Sequence, residues 1–287
     1  MTLRAGIDVG GTKCLGVVLG ESGAVLREVR RPTPAAKELT NLLLEIATEL
    51  GSYDTLGVGV PGLITPDGVI RASPNLKGAF EYPLRAELES NLGTRVWVDN
   101  DATLACLAEW QFGAAIGHSD VWMVTLGTGI GGGLVSGGML QHGANGFAGE
   151  IGHVVVDPSG PLCPCGRHGC WERFASGSGL AYLAGGELGE SVMARATNGE
   201  PDALTLLDEY ARWIALGLAN LTNTTDPSCI VLGGGIITSS EILMPSVRKW
   251  FAEMLYSGSH RTIPVLRAAE LGERAGAIGA ALLSQHQ

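Results

Sequence analysis

Charge is scarce in this 287-residue sequence: Lys, Arg, Asp and Glu supply only 17% of it, and acidic side chains outnumber basic ones 29 to 19, for a formal net charge of −10. That balance offers no basic face for a phosphate backbone, so nucleic acid is excluded as an expected partner. No apolar run approaches the roughly 20 residues of a membrane span. The apolar stretch at Ala5–Val9 is too short for a secretory signal and soon meets Asp and Gly. Linkers and low-complexity tracts are missing as well, so the halves of the chain are expected to pack together. With no secretory signal, its thiols fit a reducing compartment, and the sequence reads as cytoplasmic. What is present is 45% hydrophobic residues, enough for a substantial core, and 43 glycines. That is about twice the usual share. The glycines cluster beside apolar runs, the pattern of tight turns where backbone approaches a ligand.

Cysteine is also sparse, with six in all, but Cys163, Cys165 and Cys170 fall within eight positions. They follow His153 in an H-x9-C-x-C-x4-C pattern inside Gly149–Glu172. Three thiolates and one imidazole complete a tetrahedral, closed Zn²⁺ site. The competing readings are buried free cysteines with a satisfied histidine, or a disulfide. Clustering among Pro164, Gly166 and Gly169 argues against the first, and the strain of pairing within C-x-C against the second. Glu150 and Glu172 bracket the four ligands, and a loop pinned at four points is a rigid platform for such carboxylates.

Apolar strands and glycine turns alternate in the first residues: LRAGIDV, GGTK, CLGVVLG. Gly10 and Gly11 allow close approach to an anion, while Thr12 and Lys13 add donors. The spacing is neither a Walker loop nor a dinucleotide fingerprint, and a strand follows instead of a helix. Taken alone, the turn is also consistent with an ordinary hairpin. Apolar residues at three- and four-residue steps predict a helix over 37–50. A strand over 55–60 leads into a segment through Gly78 expected to be irregular. Pro83 opens a short helix, and a strand over 95–98 ends in Asp99-Asn100-Asp101 before a helix over 102–112. Asn100 or Asp101 serves as an N-cap on one reading. Three such residues exceed what a cap requires, and the C-terminal end of a strand is where α/β proteins bind ligands.

VWMVTLGTGIGGGLVSGG at 121–138 repeats the opening strand–turn–strand, which points to a duplicated α/β fold holding one ligand between its halves. Helices are predicted across 176–225, a buried strand over 228–232, then Gly233-Gly234-Gly235, whose lack of side chains admits a flat ring or a phosphate, or simply makes a tight bend. A strand over 262–266 and a Gly/Ala-rich helix over 274–283 complete the chain.

DVGGTK at 8–13, GVGVPG at 57–62, SPNL at 73–76, DNDA at 99–102, GTGIGGG at 127–133, GEIGH at 149–153, CPCGRHGCWE at 163–172 and LGGG at 232–235 together resemble the ROK (repressor, open reading frame, kinase) family of sugar kinases. The resemblance implies an α/β, actin-like ATPase (ribonuclease H-like) duplicated fold with two lobes around a central cleft. Its expected small lobe is 1–110 plus 270–287, and its large lobe 111–269. It further implies Asp101 as the general base. Asn75, Asn100, Asp101, Glu150, His153 and Glu172 are the implied sugar ligands. Gly10, Gly11, Thr12, Lys13, Thr128, Gly129, Gly131 and Gly234 are implied at ATP, Asp8 at Mg²⁺, and His153, Cys163, Cys165 and Cys170 at one structural Zn²⁺. The implied reaction is ATP-dependent phosphorylation of a hexose 6-hydroxyl, foremost D-glucose to glucose 6-phosphate. An N-acetylglucosamine or N-acetylmannosamine kinase, a fructokinase, or a sugar sensor with little turnover are the alternatives. Family repressors carry an added helix-turn-helix region, for which the first strand, beginning by Leu3, is expected to leave no room. A homodimer or homotetramer is implied.

Overall fold

The computed structural model describes residues 2–73, 76 and 78–286. Its strands and helices run β1 (Arg4–Val9), β2 (Lys13–Leu19), β3 (Val25–Pro32), α1 (Leu39–Glu49), β4 (Thr55–Val60), β5 (Leu63–Ile64), β6 (Ile70–Ala72), β7 (Phe80–Tyr82), α2 (Leu84–Leu92), β8 (Val96–Asn100) and α3 (Asp101–Phe112). The order continues with β9 (Val121–Leu126), β10 (Ile130–Ser136), β11 (Met139–Leu140), α4 (Glu172–Ala175), α5 (Gly177–Leu183), α6 (Gly189–Thr197), α7 (Pro201–Thr225), β12 (Cys229–Gly233), α8 (Ser240–Met254), β13 (Val265–Ala268) and α9 (Ala275–Leu282). Two five-stranded sheets result, ordered β3-β2-β1-β4-β8 and β11-β10-β9-β12-β13. In the first, β1 pairs antiparallel with β2 and parallel with β4, and β4 is parallel to β8. The second repeats the order, with β12 parallel to both β9 and β13 and the β10–β11 pair antiparallel. Two sheets of one topology from successive stretches of chain bear out the duplication.

The chain divides into two units. One comprises Met1–Gly117, Gly133–Gly149 and Leu271–Gln287; the other comprises His118–Gly132 and Glu150–Glu270. Residues 133–149, expected in the large lobe, therefore count with the first unit. At the start of this stretch Gly133 lies so close under α3 that a Cβ there would sit 2.4 Å from Cys106 Cβ and 3.0 Å from the Ala102 carbonyl oxygen.

Within the first unit, central strands buried on both faces read as near-continuous apolar runs, as covered parallel strands must. Helix α1 buries Leu39, Leu43, Ile46 and Ala47, and rests on β2 where Gly16 leaves space for the Ile46 side chain. Helix α9 comes closer still. A Cβ on Gly6 would lie 2.1 Å from the Ala277 carbonyl oxygen, one on Gly57 1.9 Å from that of Ala280, and one on Gly279 1.8 Å from that of Leu104. The last helix thus meets β1, β4 and α3 backbone to backbone. Glu109 of α3 fastens the same region. Almost wholly buried, it accepts the Ala114 N–H and the Leu271 N–H, both at 2.8 Å, tying the stretch where the chain leaves the unit to the stretch where it returns.

Two expectations need correction. The segment 61–78 is not simply irregular, because β5 and β6 within it pair antiparallel, and β7 just beyond it completes a small sheet. The strand expected over 262–266 is displaced to Val265–Ala268. Pro264 has no N–H to donate, and the parallel register begins with Val265 opposite Cys229. Among the described residues, no helix is long and apolar enough to cross a membrane.

The α9 contact yields a direct test. Gly57→Ala drives a methyl group into a backbone carbonyl, so it is expected to destabilise by at least about 1–3 kcal/mol. Urea unfolding should show a lowered midpoint; a midpoint equal to wild type would contradict the packing described.

Candidate functional site

Asp8 stands near the end of β1 with its carboxylate buried, and its Oδ1 has no hydrogen-bond partner. Burial, and then the charge of Asp101, push its pKa up to about 8, with Lys13 pulling the other way. Gly59 of β4 makes this pairing possible, since a Cβ there would sit 3.3 Å from Asp8 Oδ1 and 3.6 Å from Asp101 Cα. Gly276 at the start of α9 closes the other side, where a Cβ would fall 2.5 Å from Asp8 Cγ. Two carboxylates crowded by glycines, one with an orphaned buried oxygen, form a donor set suited to a hard divalent cation such as Mg²⁺.

The adjoining turn is shaped by its own backbone. Gly10 N–H donates to the Lys13 carbonyl at 2.9 Å, and Thr33 donates its N–H to the Thr12 carbonyl at 3.0 Å and its hydroxyl to that of Gly10 at 2.6 Å. Open space surrounds the Gly11 Cα. The Lys13 ammonium lies in a chain of exposed ion pairs, Lys13–Glu273–Arg30–Glu28–Arg274.

Asn100 is the N-cap of α3. Its Oδ1 accepts the N–H groups of Ala102 at 2.9 Å and Thr103 at 3.0 Å, while Nδ2 donates to the Gly62 carbonyl at 3.1 Å. The cap reading therefore holds for Asn100, whose carboxamide keeps one N–H for a ligand. Asp101 opens α3, half-buried, with Oδ1 accepting the Ala102 N–H at 2.9 Å. Asp99 is buried and carries a contact absent from the sequence reading: Oδ1 accepts the Asn100 N–H at 2.7 Å, and Oδ2 meets His142 Nε2 at 2.7 Å. That bond to Asp99 raises the His142 pKa against the opposing effect of burial. No motif spacing links these positions, so nothing short of the fold could pair them. Asn75, expected at the same site, lies outside the described residues.

In the second unit, His153, Cys163, Cys165 and Cys170 bring one ligand atom each to within 4.8 Å of one another. Cys165 and Cys170 Sγ are 3.5 Å apart, and Cys163 Sγ is 3.8 Å from His153 Nδ1. Ligands at the edges of a tetrahedron around zinc stand roughly 3.3–3.8 Å apart, so the cluster fits the ion; all six cysteines are free. Bends at Gly166 and Gly169, both with φ positive, shape the loop, and a Cβ on Gly169 would fall 1.5 Å from the Asp157 carbonyl oxygen. Trp171 then locks the loop's end to α7. It is buried over Gly217, and its Nε1 donates to the Trp213 carbonyl at 2.8 Å.

The next residue, Glu172, joins two motifs. Its Oε1 accepts from Cys163 Sγ at 3.3 Å, while Oε2 accepts the Ile130 N–H at 3.4 Å and lies 2.8 Å from where a Gly129 Cβ would be. Glu150 places Oε2 3.9 Å from His153 Nε2, the ring nitrogen not facing Cys163. Burial raises its pKa, Glu172 adds to the rise and His153 opposes it. The Gly127–Gly129 turn is braced by α5, through Gly177 N–H to the Gly127 carbonyl at 2.8 Å and Ser178 Oγ to that of Thr128 at 3.0 Å. Thr125 Oγ1 accepts the Gly131 N–H at 3.2 Å. Gly234, with φ of 93°, bends against the end of β9, where a Cβ would lie 2.3 Å from the Leu126 carbonyl oxygen. The sequence-predicted residues thus gather into two groups, one per unit. The bracing residues Gly59, Gly276, Trp171, Gly177 and Ser178 were not foreseen.

The duplicated α/β architecture is an actin-like ATPase fold, and the chain belongs to the ROK family, whose model matches residues 4–287. It is 34% identical to a glucokinase of Streptomyces coelicolor, over 99% of this chain and 98% of the relative. It is 36% identical to an N-acetylmannosamine kinase of Shigella flexneri, over 99% of each. Among solved structures, a ROK family glucokinase from Streptomyces griseus in complex with glucose and AMPPNP superposes with a TM-score of 0.89 at 35% identity, covering 99% of this chain and 100% of that one.

Metal analysis of purified protein is expected to find about one zinc per chain. Burial first, then the bond to Cys165, holds the Cys170 thiol above its ordinary pKa, and burial does the same for Cys163. Reloading a chelated sample in weak buffer should therefore release protons. Zinc uptake with no proton release would show that these thiols are not the ligands.

Proposed function

We propose that this protein is an ATP-dependent sugar kinase that phosphorylates the 6-hydroxyl of a hexose, with D-glucose as the foremost substrate. The observation that carries the reading is the pairing of Asp8 and Asp101 across Gly59: a buried carboxylate with an orphaned oxygen next to a half-buried one at a helix start. A kinase needs those two elements side by side, a seat for the cation that accompanies ATP and a base for the incoming hydroxyl.

In this reading Asp101 takes the proton from the sugar hydroxyl as its oxygen attacks the γ-phosphorus. The new O–P bond forms while the bond to ADP breaks, and the proton stays on the Asp101 carboxylate. Such base assistance is typically worth about 10²–10⁴-fold. Asp8 would hold Mg²⁺ through water, and the ion would offset charge on the phosphates. The turns at Gly10–Lys13 and at Thr128, Gly129 and Gly131 would present backbone N–H groups to those phosphates, and Gly234 would admit the adenosine. Asn75, Asn100, Glu150, His153 and Glu172 would bind sugar hydroxyls. Asn100 has one amide N–H to give, and His153 would turn Nε2 to the sugar while Nδ1 serves the zinc. That zinc is structural, with all four positions filled by protein, and supplies order to the loop.

An N-acetylhexosamine is the second substrate reading, favoured by the 36% identity to an N-acetylmannosamine kinase, a value that does not separate it from the 34% glucokinase match. Steady-state assays with ATP and glucose, mannose, fructose, N-acetylglucosamine or N-acetylmannosamine decide between them: the highest kcat/KM is expected for glucose. Asp101→Asn keeps the acceptor for the Ala102 N–H and is expected to lower kcat by about 10²–10⁴-fold while sugar binding by calorimetry stays within a few-fold. Wild-type turnover in that variant would remove Asp101 as the base. Failure of all five sugars would remove the kinase reading.

A further inference from the structure

The Asp99 carboxylate has no role in the chemistry just described, yet it is buried in the unit that carries Asp101, and both of its oxygens are engaged. One holds the backbone N–H of Asn100, the residue before the proposed base. The other holds the imidazole of His142, across 43 positions of sequence. Asp99 therefore joins the end of β8 to the segment that follows β11. We infer that the Asp99–His142 pair positions residues 143–149, the loop that leads into Glu150, for sugar binding. The inference rests on the kinase reading for its functional consequence.

Three observations carry it. First, among the described residues the segment makes few hydrogen bonds. His142 begins a loop closed by the Ala148 N–H on the His142 carbonyl at 3.0 Å, so the loop folds back on the very residue that Asp99 grips. Second, the loop must keep a close fit, because a Cβ on Gly146 would lie 2.3 Å from the Ile64 carbonyl oxygen of β5. Third, Gly149 at its end, with φ of 102°, passes directly into Glu150, proposed above as a sugar ligand. A loop rich in glycine loses much backbone freedom when it is ordered. A part-buried charge-assisted bond at its start limits that freedom before the sugar arrives, which is where pre-organisation acts on affinity. The Nδ1 of His142 has no partner among the described residues, so the ring owes its orientation to Asp99.

His142→Leu removes the tether and leaves Asp99 on the Asn100 N–H; His142→Gln restores a donor to Asp99. The expected result for His142→Leu is a sugar KM raised about tenfold, the size of one such coupling, with kcat and the KM for ATP within about twofold of wild type. His142→Gln should recover most of the loss. Hydrogen exchange without sugar should quicken in His142→Leu for the amides of residues 143–149 and not in the core strand β4. Unchanged sugar KM with unchanged exchange overturns the proposal. So does an equal loss in kcat and both KM values with a lowered Tm, the mark of a general structural role. Should wild type phosphorylate no sugar, the kinase reading fails, but hydrogen exchange still tests the tether on its own.

Discussion

Backbone-to-backbone packing of α9 is the constraint from which the first unit's site follows. Close approach at Gly6, Gly57 and Gly279 sets the helix onto β1, β4 and α3 with no side chain between. Because its start is then fixed, Gly276 arrives against the Asp8 carboxylate, and Gly59 lets Asp101 approach from the other side. A methyl group at Gly6, Gly57, Gly276 or Gly279 would meet backbone or carboxylate atoms at 2.5 Å or less, so the elements would have to move apart. Part of the glycine surplus that stands out in composition thus serves to bring the carboxylates of β1 and α3 together.

Buried carboxylates in this chain divide by how they are satisfied. Glu109 accepts two backbone N–H groups and is fully engaged, so it fastens chain segments. Asp99 accepts one backbone N–H and a histidine, and so links two segments of different sequence. Among the described carboxylates Asp8 alone has a buried oxygen without a partner, and burial and Asp101 raise its pKa to about 8. A group left in that state costs stability unless something else meets it. The contrast with its satisfied neighbours supports the proposal that Asp8 serves a ligand.

Legibility in the sequence followed locality. The glycine turns, the strands around them and the H-x9-C-x-C-x4-C loop were readable because each lies within a few residues and has a local physical signature. The sheet of β5, β6 and β7 was not, since strands of two or three residues show no periodicity. The start of β13 was misplaced because Thr262 and Ile263 have strand-forming side chains, while the absent N–H at Pro264 and the partner register decide the outcome. Asp99–His142 and Gly276–Asp8 were out of reach for another reason: each joins residues whose neighbourhood exists only once the sheet has formed. The cap at Asn100 was legible from its place before α3, but only geometry shows how little of its carboxamide the cap leaves.

The second unit shows the same economy from the opposite direction. There the metal loop and the glycine turn are distant in sequence, and Glu172 is their common element, one oxygen toward Cys163 and the other on the Ile130 N–H beside Gly129. Trp171, buried over Gly217, fixes where that carboxylate starts. Glu172 is therefore one path by which a disturbance of the thiol cluster would reach the turn, which α5 braces separately. If the four thiol and imidazole ligands close around zinc as proposed, the cluster bears on the turn by setting the direction of a carboxylate that two motifs share.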